Sequence, residues 1–115
     1  MSSPITTHVL DTTRGKPAVG VPVTLEFEAA PGTWYLLGKG KTDADGRIRA
    51  LLPAVSALAA GTYRLTFETD AYFTRMGTEG FYPHVPILFR LDKPEQHYHV
   101  PLLLNPYGYS TYRGS

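Results

Sequence analysis

The sequence predicts an all-β sandwich with one short helix. Ten prolines and eleven glycines divide the 115 residues into short segments. Within these segments apolar and polar residues alternate, which is the pattern of strands with one buried face. Hydrophobic residues make up 43% of the chain and charged residues 18%, a composition typical of a packed globule. The length fits a single domain spanning residues 1–115.

Five longer segments are predicted to be strands. Strict alternation marks the rows from Val21 to Phe27, from Tyr63 to Phe67 and from Val85 to Leu91. The segments 5–11 and 34–41 are predicted to be strands as well. With the elements at residues 47–49 and near the C-terminal end, we count seven or eight strands, without an internal repeat or a linker.

Two segments interrupt the strand pattern. Asp43-Ala44-Asp45-Gly46 has the composition of a turn and precedes a short strand at 47–49. The segment Asp70–Gly77 predicts a helix of about two turns, with Asp70 as N-cap and Gly77 as C-terminal stop. Its predicted apolar face consists of Tyr72, Phe73 and Met76. The segment Pro53–Gly61 is compatible with either a loop or a helical turn.

Composition and charge exclude several classes of protein. The absence of cysteine rules out disulfides, thiolate zinc sites and a cysteine nucleophile. The net charge is +1 with scattered basic residues, which argues against a nucleic-acid surface. No apolar run approaches the roughly 20 residues of a membrane span, and MSSPITTHVLD lacks the features of a signal peptide. We therefore expect a cytoplasmic protein without a membrane or nucleic-acid partner.

Histidines are concentrated near the C-terminal end. In HYHVPLLL a period of two places His97 and His99 on the face opposite the predicted core face. His8 lies near the start of another predicted strand, and His84, in a proline-rich segment, is expected to be structural or exposed. The expected core face of the C-terminal strand consists of Tyr98, Val100, Leu102 and Leu104.

Three interpretations of the histidines stay open on the residues alone. They are hydrogen-bonded or surface imidazoles, or zinc ligands, because H-x-H on a strand with a distant third histidine can hold zinc. No acidic residue adjoins His97 or His99 as a partner for a metal ligand. In the third interpretation a histidine takes a proton from water while an arginine stabilises the developing oxyanion. Arg47 is the arginine placed most rigidly, by its turn.

Two long motifs and a terminal tetrapeptide resemble the transthyretin superfamily. HVLDTTRGKPA (8–18) and YHVPLLLNPYGYS (98–110) are similar to its two signature segments, and YRGS (112–115) resembles the mark of its enzymatic branch, the 5-hydroxyisourate hydrolases. The resemblance implies a transthyretin-like β-sandwich of two four-stranded sheets with one short helix. It also implies a homotetramer, a dimer of dimers, with active sites in the channel between dimers.

The resemblance further implies the reaction and its residues. The reaction is the metal-free, cofactor-independent hydrolysis of 5-hydroxyisourate in urate degradation. His8, Arg47 and His99 correspond to functional residues of the enzymatic branch, and the hormone-carrying branch has Lys, Glu and Thr there. His99 and His8 are candidates for water activation, and Arg47 for substrate binding and charge stabilisation. The alternative is a carrier that uses the same channel for an apolar ligand.

The terminal YRGS is expected to complete the active site. We expect Gly114 to turn the terminus inward and Arg113 to bind the oxygens of the substrate ring. Tyr112 is included among the substrate-binding residues. Ser115 is expected to position water or substrate through its hydroxyl or the terminal carboxylate. Assembly into the tetramer is predicted from large groups on non-core faces, namely Leu103, Tyr107, Tyr109 and Tyr112.

Overall fold

The computed structural model describes residues 3–53 and 57–115. The described chain forms strands and one short helix in this order: β1 (Ile5–Asp11), β2 (Lys16–Pro17), β3 (Pro22–Ala30), β4 (Thr33–Lys41), β5 (Arg47–Ile48), β6 (Gly61–Phe67), α1 (Thr69–Arg75), β7 (Val85–Leu91), β8 (Tyr98–Asn105) and β9 (Gly108–Thr111). Each strand expected from the alternating segments is present. The predicted all-β class with one helix is confirmed.

The strands form two sheets. One sheet is antiparallel throughout, in the order β4-β3-β6-β7. The other has the order β2-β1-β8-β9, with β1 and β8 parallel, and β5 also pairs with β1. Strand β8 occupies one edge of β1 along the whole length of β1. Strands β5 and β2 therefore lie one after the other on the opposite edge of β1. Both sheets are therefore four strand positions wide, as predicted.

The core lies between the two sheets. It is built from the rows that alternation placed inward, including Val23 and Leu25 in β3 and Leu65 in β6, all of which are buried. Val9 of β1 and Leu102 of β8 supply the matching residues of the other sheet and are buried completely. The strand that carries His8 and the strand that carries His99 are thus fixed by the core on their inner sides.

The helix begins at Thr69, two residues earlier than an N-cap at Asp70 would place its first residue. The assignment of Asp70 as N-cap was wrong: Glu68 occupies that position without a side-chain cap bond, and Asp70 lies in the first turn. There its negative charge still faces the positive end of the helix dipole. Gly77 ends the helix as predicted, with φ of +70° and its N–H donating to the Thr74 carbonyl. Met76 is exposed at the helix end and leaves the buried face to Tyr72 and Phe73.

The segment between β5 and β6 is described only in part. Residues 57–60 form neither helix nor strand, and residues 54–56 of the ambiguous Pro53–Gly61 segment lie outside the described residues. Within the described ranges no helix has the length and apolar character to span a membrane.

Candidate active site

The pairing of β1 with its two neighbours brings the predicted site residues together. In the parallel register Thr6 lies opposite His99 and His8 lies opposite Pro101. On the other edge of β1, His8 lies opposite Arg47. Paired residues of adjacent strands point to the same face of a sheet. His8, Arg47 and His99 therefore share the outer face of the sheet, away from the core.

The turn before β5 holds Arg47 in place. Asp43 Oδ1 accepts hydrogen bonds from the backbone N–H groups of Asp45 (2.9 Å) and Arg47 (3.0 Å). Gly46 has φ of +75°, and a Cβ there would lie 2.5 Å from the Val9 carbonyl oxygen. A residue other than glycine would therefore displace the turn from β1.

The two arginines that follow the turn differ in their partners. Arg49 forms an ion pair with Asp43 Oδ2 at 3.0 Å. Arg47 is half-buried, and among the described residues its guanidinium forms no ion pair. Because Arg49 occupies the carboxylate, the positive charge of Arg47 stays available on the outer face.

A hydroxyl group connects the two histidines of the C-terminal segment. Thr6 Oγ1 lies 2.9 Å from His97 Nε2 and 2.9 Å from His99 Nδ1. Thr6 is only 7% exposed, whereas His97 is exposed and His99 is half-buried. The expectation of an outer-face His97–His99 pair is confirmed. Thr6 was not among the residues predicted from the sequence, although the alternation of β1 already placed it on the face of His8.

The electrostatics of the outer face favour neutral imidazoles. Burial, followed by the charge of Arg47, lowers the pKa of His99 below its ordinary value of 6.5. The pKa of His8 is lowered by the same two causes in the same order, partly offset by a hydrogen bond to the Asp45 backbone. Both rings consequently carry a free lone pair at neutral pH, as a general base requires.

The C-terminal tail returns along β8 toward His99. The Gly114 N–H donates to the His99 carbonyl at 2.8 Å, in a bridge that keeps the register in which Leu102 pairs with Thr111. On β8, Pro101 lies between these two pairs and has no N–H to donate to the tail. Strand β9 therefore ends at Thr111, and pairing resumes at Gly114.

Gly114 is required at the bridge for space. A Cβ at this position would lie 2.6 Å from His99 Cδ2 and 3.2 Å from Pro101 Cγ. Its φ is outside the range that only glycine favours. The expected role of Gly114 therefore depends on its close approach to the imidazole and not on a special backbone angle.

Arg113, next to Gly114 in the tail, is directed away from the imidazoles. The guanidinium of Arg113 stacks over the Tyr98 ring, 4.4 Å from its centroid, and Nη2 donates to Gln96 Oε1 at 3.0 Å. Tyr98 belongs to the core face of β8, so Arg113 lies on the side opposite His99. Tyr112 and Ser115 are exposed. The structure thus brings His8, Arg47, His99 and Gly114 together, and Arg113 is directed elsewhere.

Metal-ligand geometry gives no independent indication of a metal centre. Across residues 3–53 and 57–115, no three His, Asp or Glu side chains are grouped so that they could hold a metal ion. His84 is exposed and lies outside the cluster. The described side chains combine two neutral imidazoles with one unpaired guanidinium. Such a set can deprotonate a water molecule and stabilise an oxyanion.

The two-sheet sandwich and its outer histidine–arginine cluster define a transthyretin-like protein with groups for acid–base chemistry. The chain belongs to the HIUase/Transthyretin family, whose sequence profile matches residues 5–114.

Individual relatives include 5-hydroxyisourate hydrolases and a transthyretin with bound thyroxine. The chain is 50% identical over 114 residues to the 5-hydroxyisourate hydrolase of Salmonella typhi, covering 99% of this chain and 82% of the relative. The structure of the Klebsiella pneumoniae 5-hydroxyisourate hydrolase superposes with a TM-score of 0.82 at 41% identity, covering 96% of this chain and 92% of that one. Sea bream transthyretin in complex with thyroxine gives a TM-score of 0.89 at 34% identity, covering 96% and 94%. The backbone is thus common to a 5-hydroxyisourate hydrolase and a thyroxine-bound transthyretin, and the side chains must distinguish them.

Proposed function

We propose that this protein is a 5-hydroxyisourate hydrolase of urate degradation. The observation that carries the proposal is the outer-face cluster of His8, Arg47 and His99, in a chain half identical to a relative of that name. In the reaction, water adds to the C6 carbonyl and the N1–C6 amide bond breaks. The oxygen of water becomes part of a carboxylate and N1 takes up a proton, which gives 2-oxo-4-hydroxy-4-carboxy-5-ureidoimidazoline.

The residues of the cluster divide the work between them. A neutral imidazole of His99 or His8 takes the proton from water, for which its lowered pKa is suited. The guanidinium of Arg47 binds the carbonyl oxygen and stabilises the negative charge that develops there. No covalent intermediate on the protein is needed, because an activated water attacks directly.

The tail Tyr112–Ser115 closes the site beside His99. The bridge from Gly114 to the His99 carbonyl supports this placement, and Ser115 follows directly with a hydroxyl that can orient water or substrate. Arg113 would reach the substrate ring only if its side chain left Tyr98. The arrangement in the single chain favours a role in which Arg113 secures the tail through Tyr98 and Gln96.

We further propose a homotetramer in which the outer faces line a channel between dimers. Large side chains beyond the core support it, since Tyr107 is 74% exposed and Tyr109 and Tyr112 are exposed as well. The two sheets also end in β7 and β9, whose outer edges pair with no other strand in the described chain. Light scattering at micromolar concentration should give a mass of four chains, and a monomer would contradict both the assembly and a shared channel.

An ultraviolet assay tests the activity directly. Urate oxidase converts urate to 5-hydroxyisourate, and the protein should accelerate the decay of its absorbance. A carrier of apolar ligands would leave the decay unchanged, as would the Arg47→Ala control. After dialysis against a strong chelator the rate should persist, whereas a loss restored by zinc would indicate a metallohydrolase.

A further inference from the structure

Thr6 is the least exposed member of the outer-face cluster, and none of the expected chemistry uses it. It forms two polar contacts across the sheet, to Nε2 of His97 and to Nδ1 of His99, both at 2.9 Å. The register of β1 and β8 places it directly opposite His99, so its position is fixed by the backbone of both strands. An almost fully buried hydroxyl between two imidazoles couples their protonation states.

The coupling follows from counting hydrogens. A hydroxyl has one proton to donate and two lone pairs with which to accept. If Thr6 donates to one ring, the nitrogen of the other ring must carry the proton that Thr6 accepts. The state in which His97 Nε2 and His99 Nδ1 are both unprotonated cannot satisfy both contacts. Leaving a buried polar group unpaired costs free energy, so this state is disfavoured.

We infer that Thr6 is a positioning residue that holds His99 in the tautomer with the proton on Nδ1. In that tautomer Nδ1–H donates to Thr6 Oγ1, and the Thr6 hydroxyl donates to His97 Nε2. The inference rests on the proposed function only in that His99 is taken as a base; the tautomer itself is a property of the free protein. The tautomer with the proton on Nδ1 leaves the lone pair on His99 Nε2, directed away from Thr6.

One further observation supports this direction. His97 is exposed, so it can exchange protons with solvent while His99 is shielded. A histidine base held by a hydrogen bond at Nδ1 is a common arrangement, because that bond selects the reactive nitrogen.

Charged groups around His99 also act on its pKa. Arg47 of β5, His8 of β1 and His97 each lower the pKa by charge repulsion. Arg49 is paired with Asp43 and lies farther along the turn. Since Thr6 is uncharged, its removal changes which nitrogen carries the proton without changing the net charge of the cluster.

The test compares Thr6→Val and Thr6→Ser with Thr7→Val as matched control. Thr7 is the next residue on β1, fully buried on the core face, with its hydroxyl donating to the Val100 carbonyl at 2.6 Å. Thr7→Val therefore removes a buried hydroxyl of the same strand without touching an imidazole. Thr6→Val has nearly the volume of threonine and removes only the bridge.

The primary measurement is the ring ¹⁵N chemical shifts of His99 in the free protein. The unsubstituted protein and Thr6→Ser should show a protonated Nδ1 and a bare Nε2 above the pKa. Thr6→Val should shift toward the Nε2-protonated tautomer and, having lost an acceptor for imidazolium, should titrate at lower pH. Thr7→Val should leave both signals unchanged. The same spectrum for Thr6→Val and the unsubstituted protein would overturn the inference, whether or not the protein hydrolyses 5-hydroxyisourate.

Kinetics provide the second measurement. In the hydrolase assay Thr6→Val should lower kcat by about ten- to a hundredfold with KM little changed, the scale of a lost partner behind a reactive group. Thr6→Ser should restore most of the rate. A Thr6→Val protein with unaltered kcat would mean that the bridge does not serve catalysis. Equal losses in Thr6→Val and Thr7→Val, with matching losses of Tm, would assign Thr6 a structural role only.

Discussion

The two faces of the β1–β8 pair differ in what each requires of its side chains. The inner face carries Val9 and Leu102, both completely buried against the other sheet. The outer face, one residue out of phase, carries His8 and His99. The inner row needs apolar volume, which several residue types can supply. The outer row needs particular atoms at particular distances, so substitutions on the two faces should have separable effects.

The inner face can be tested by the loss of volume. Leu102→Ala should lower the free energy of unfolding by about 2–5 kcal/mol, because it removes buried methyl groups and leaves a cavity. Denaturant titration measures the loss, with Leu36→Ala on the exposed edge strand β4 as the matched control. Activity per folded molecule should stay near that of the unsubstituted protein. A large loss of kcat without a loss of stability would contradict the division between the faces.

The outer face should respond in the opposite way. His8→Ala, Arg47→Ala and His99→Ala should each lower turnover by at least about a hundredfold, the scale of one general base or one oxyanion donor. Their Tm values should change little, since none of the three residues belongs to the core. His84→Ala is the exposed control and should be nearly silent.

His97→Ala distinguishes the two histidines of the C-terminal segment. Its effect should be much smaller than that of His99→Ala, because the hydrogen bond that His97 forms in the described chain is to Thr6 and not to a group expected to meet the substrate. Equal damage from the two substitutions would require His97 to act on the substrate itself.

The sequence predicted the inner face better than the outer one, for a physical reason. Burial imposes a period of two on apolar residues, which is visible in each strand separately. The outer cluster depends on which strands are neighbours and in what register, and a parallel pairing of β1 with β8 leaves no mark in either segment alone. The candidate set His8, Arg47 and His99 was therefore named from a family resemblance, and Thr6 was missed.

The tail shows the same distinction within four residues. Its return to His99 was expected, but alternation along the extended tail also sends Arg113 to the face opposite Gly114. YRGS was predicted to act as one functional group, whereas the alternation of the extended backbone places successive side chains on opposite sides. The helix N-cap was missed for a local reason. Asp70 is a residue type that favours the N-cap, but it lies two residues after Glu68, which occupies that position.

The tail can be tested by filling the space at Gly114. Gly114→Ala should push the His99 ring aside, since the new Cβ would lie 2.6 Å from Cδ2. We expect a loss of about tenfold or more in kcat, as for other small displacements of a reactive group, with Tm nearly unchanged. Gly108→Ala is the control, because a Cβ there meets only ordinary contacts at 3.7 Å.

Deletion of Arg113 to Ser115 should remove most of the activity while leaving the proposed tetramer and the Tm nearly unchanged. Arg113→Ala should give a smaller loss than the deletion if the guanidinium secures the tail through Tyr98 and Gln96. A protein without Arg113–Ser115 that turned over at the full rate would reduce the tail to scaffold.

The smallest expected effect is on how activity and stability depend on pH. Burial and the charge of Arg47 hold the pKa of His99 below 6.5, so the base stays unprotonated down to a lower pH than an ordinary histidine would. The value of kcat/KM should therefore rise with pH through that lowered pKa and reach its plateau by neutral pH. The folded state also binds fewer protons than the unfolded state in this window, so the free energy of unfolding should fall as pH falls through it.

Arg47→Gln separates the two causes of the lowered pKa. Removing the charge should raise the pKa of His99 toward its ordinary value, because less repulsion opposes the imidazolium, while the burial contribution remains. An NMR titration of the free protein measures this without requiring activity. Thr6→Val should move the same pKa in the opposite direction, and Leu102→Ala on the inner face should leave it in place in the folded protein. If Arg47→Gln left the titration of His99 unchanged, the guanidinium would be too far from the ring to act with it on one carbonyl, and the proposed pairing of base and oxyanion donor would be wrong.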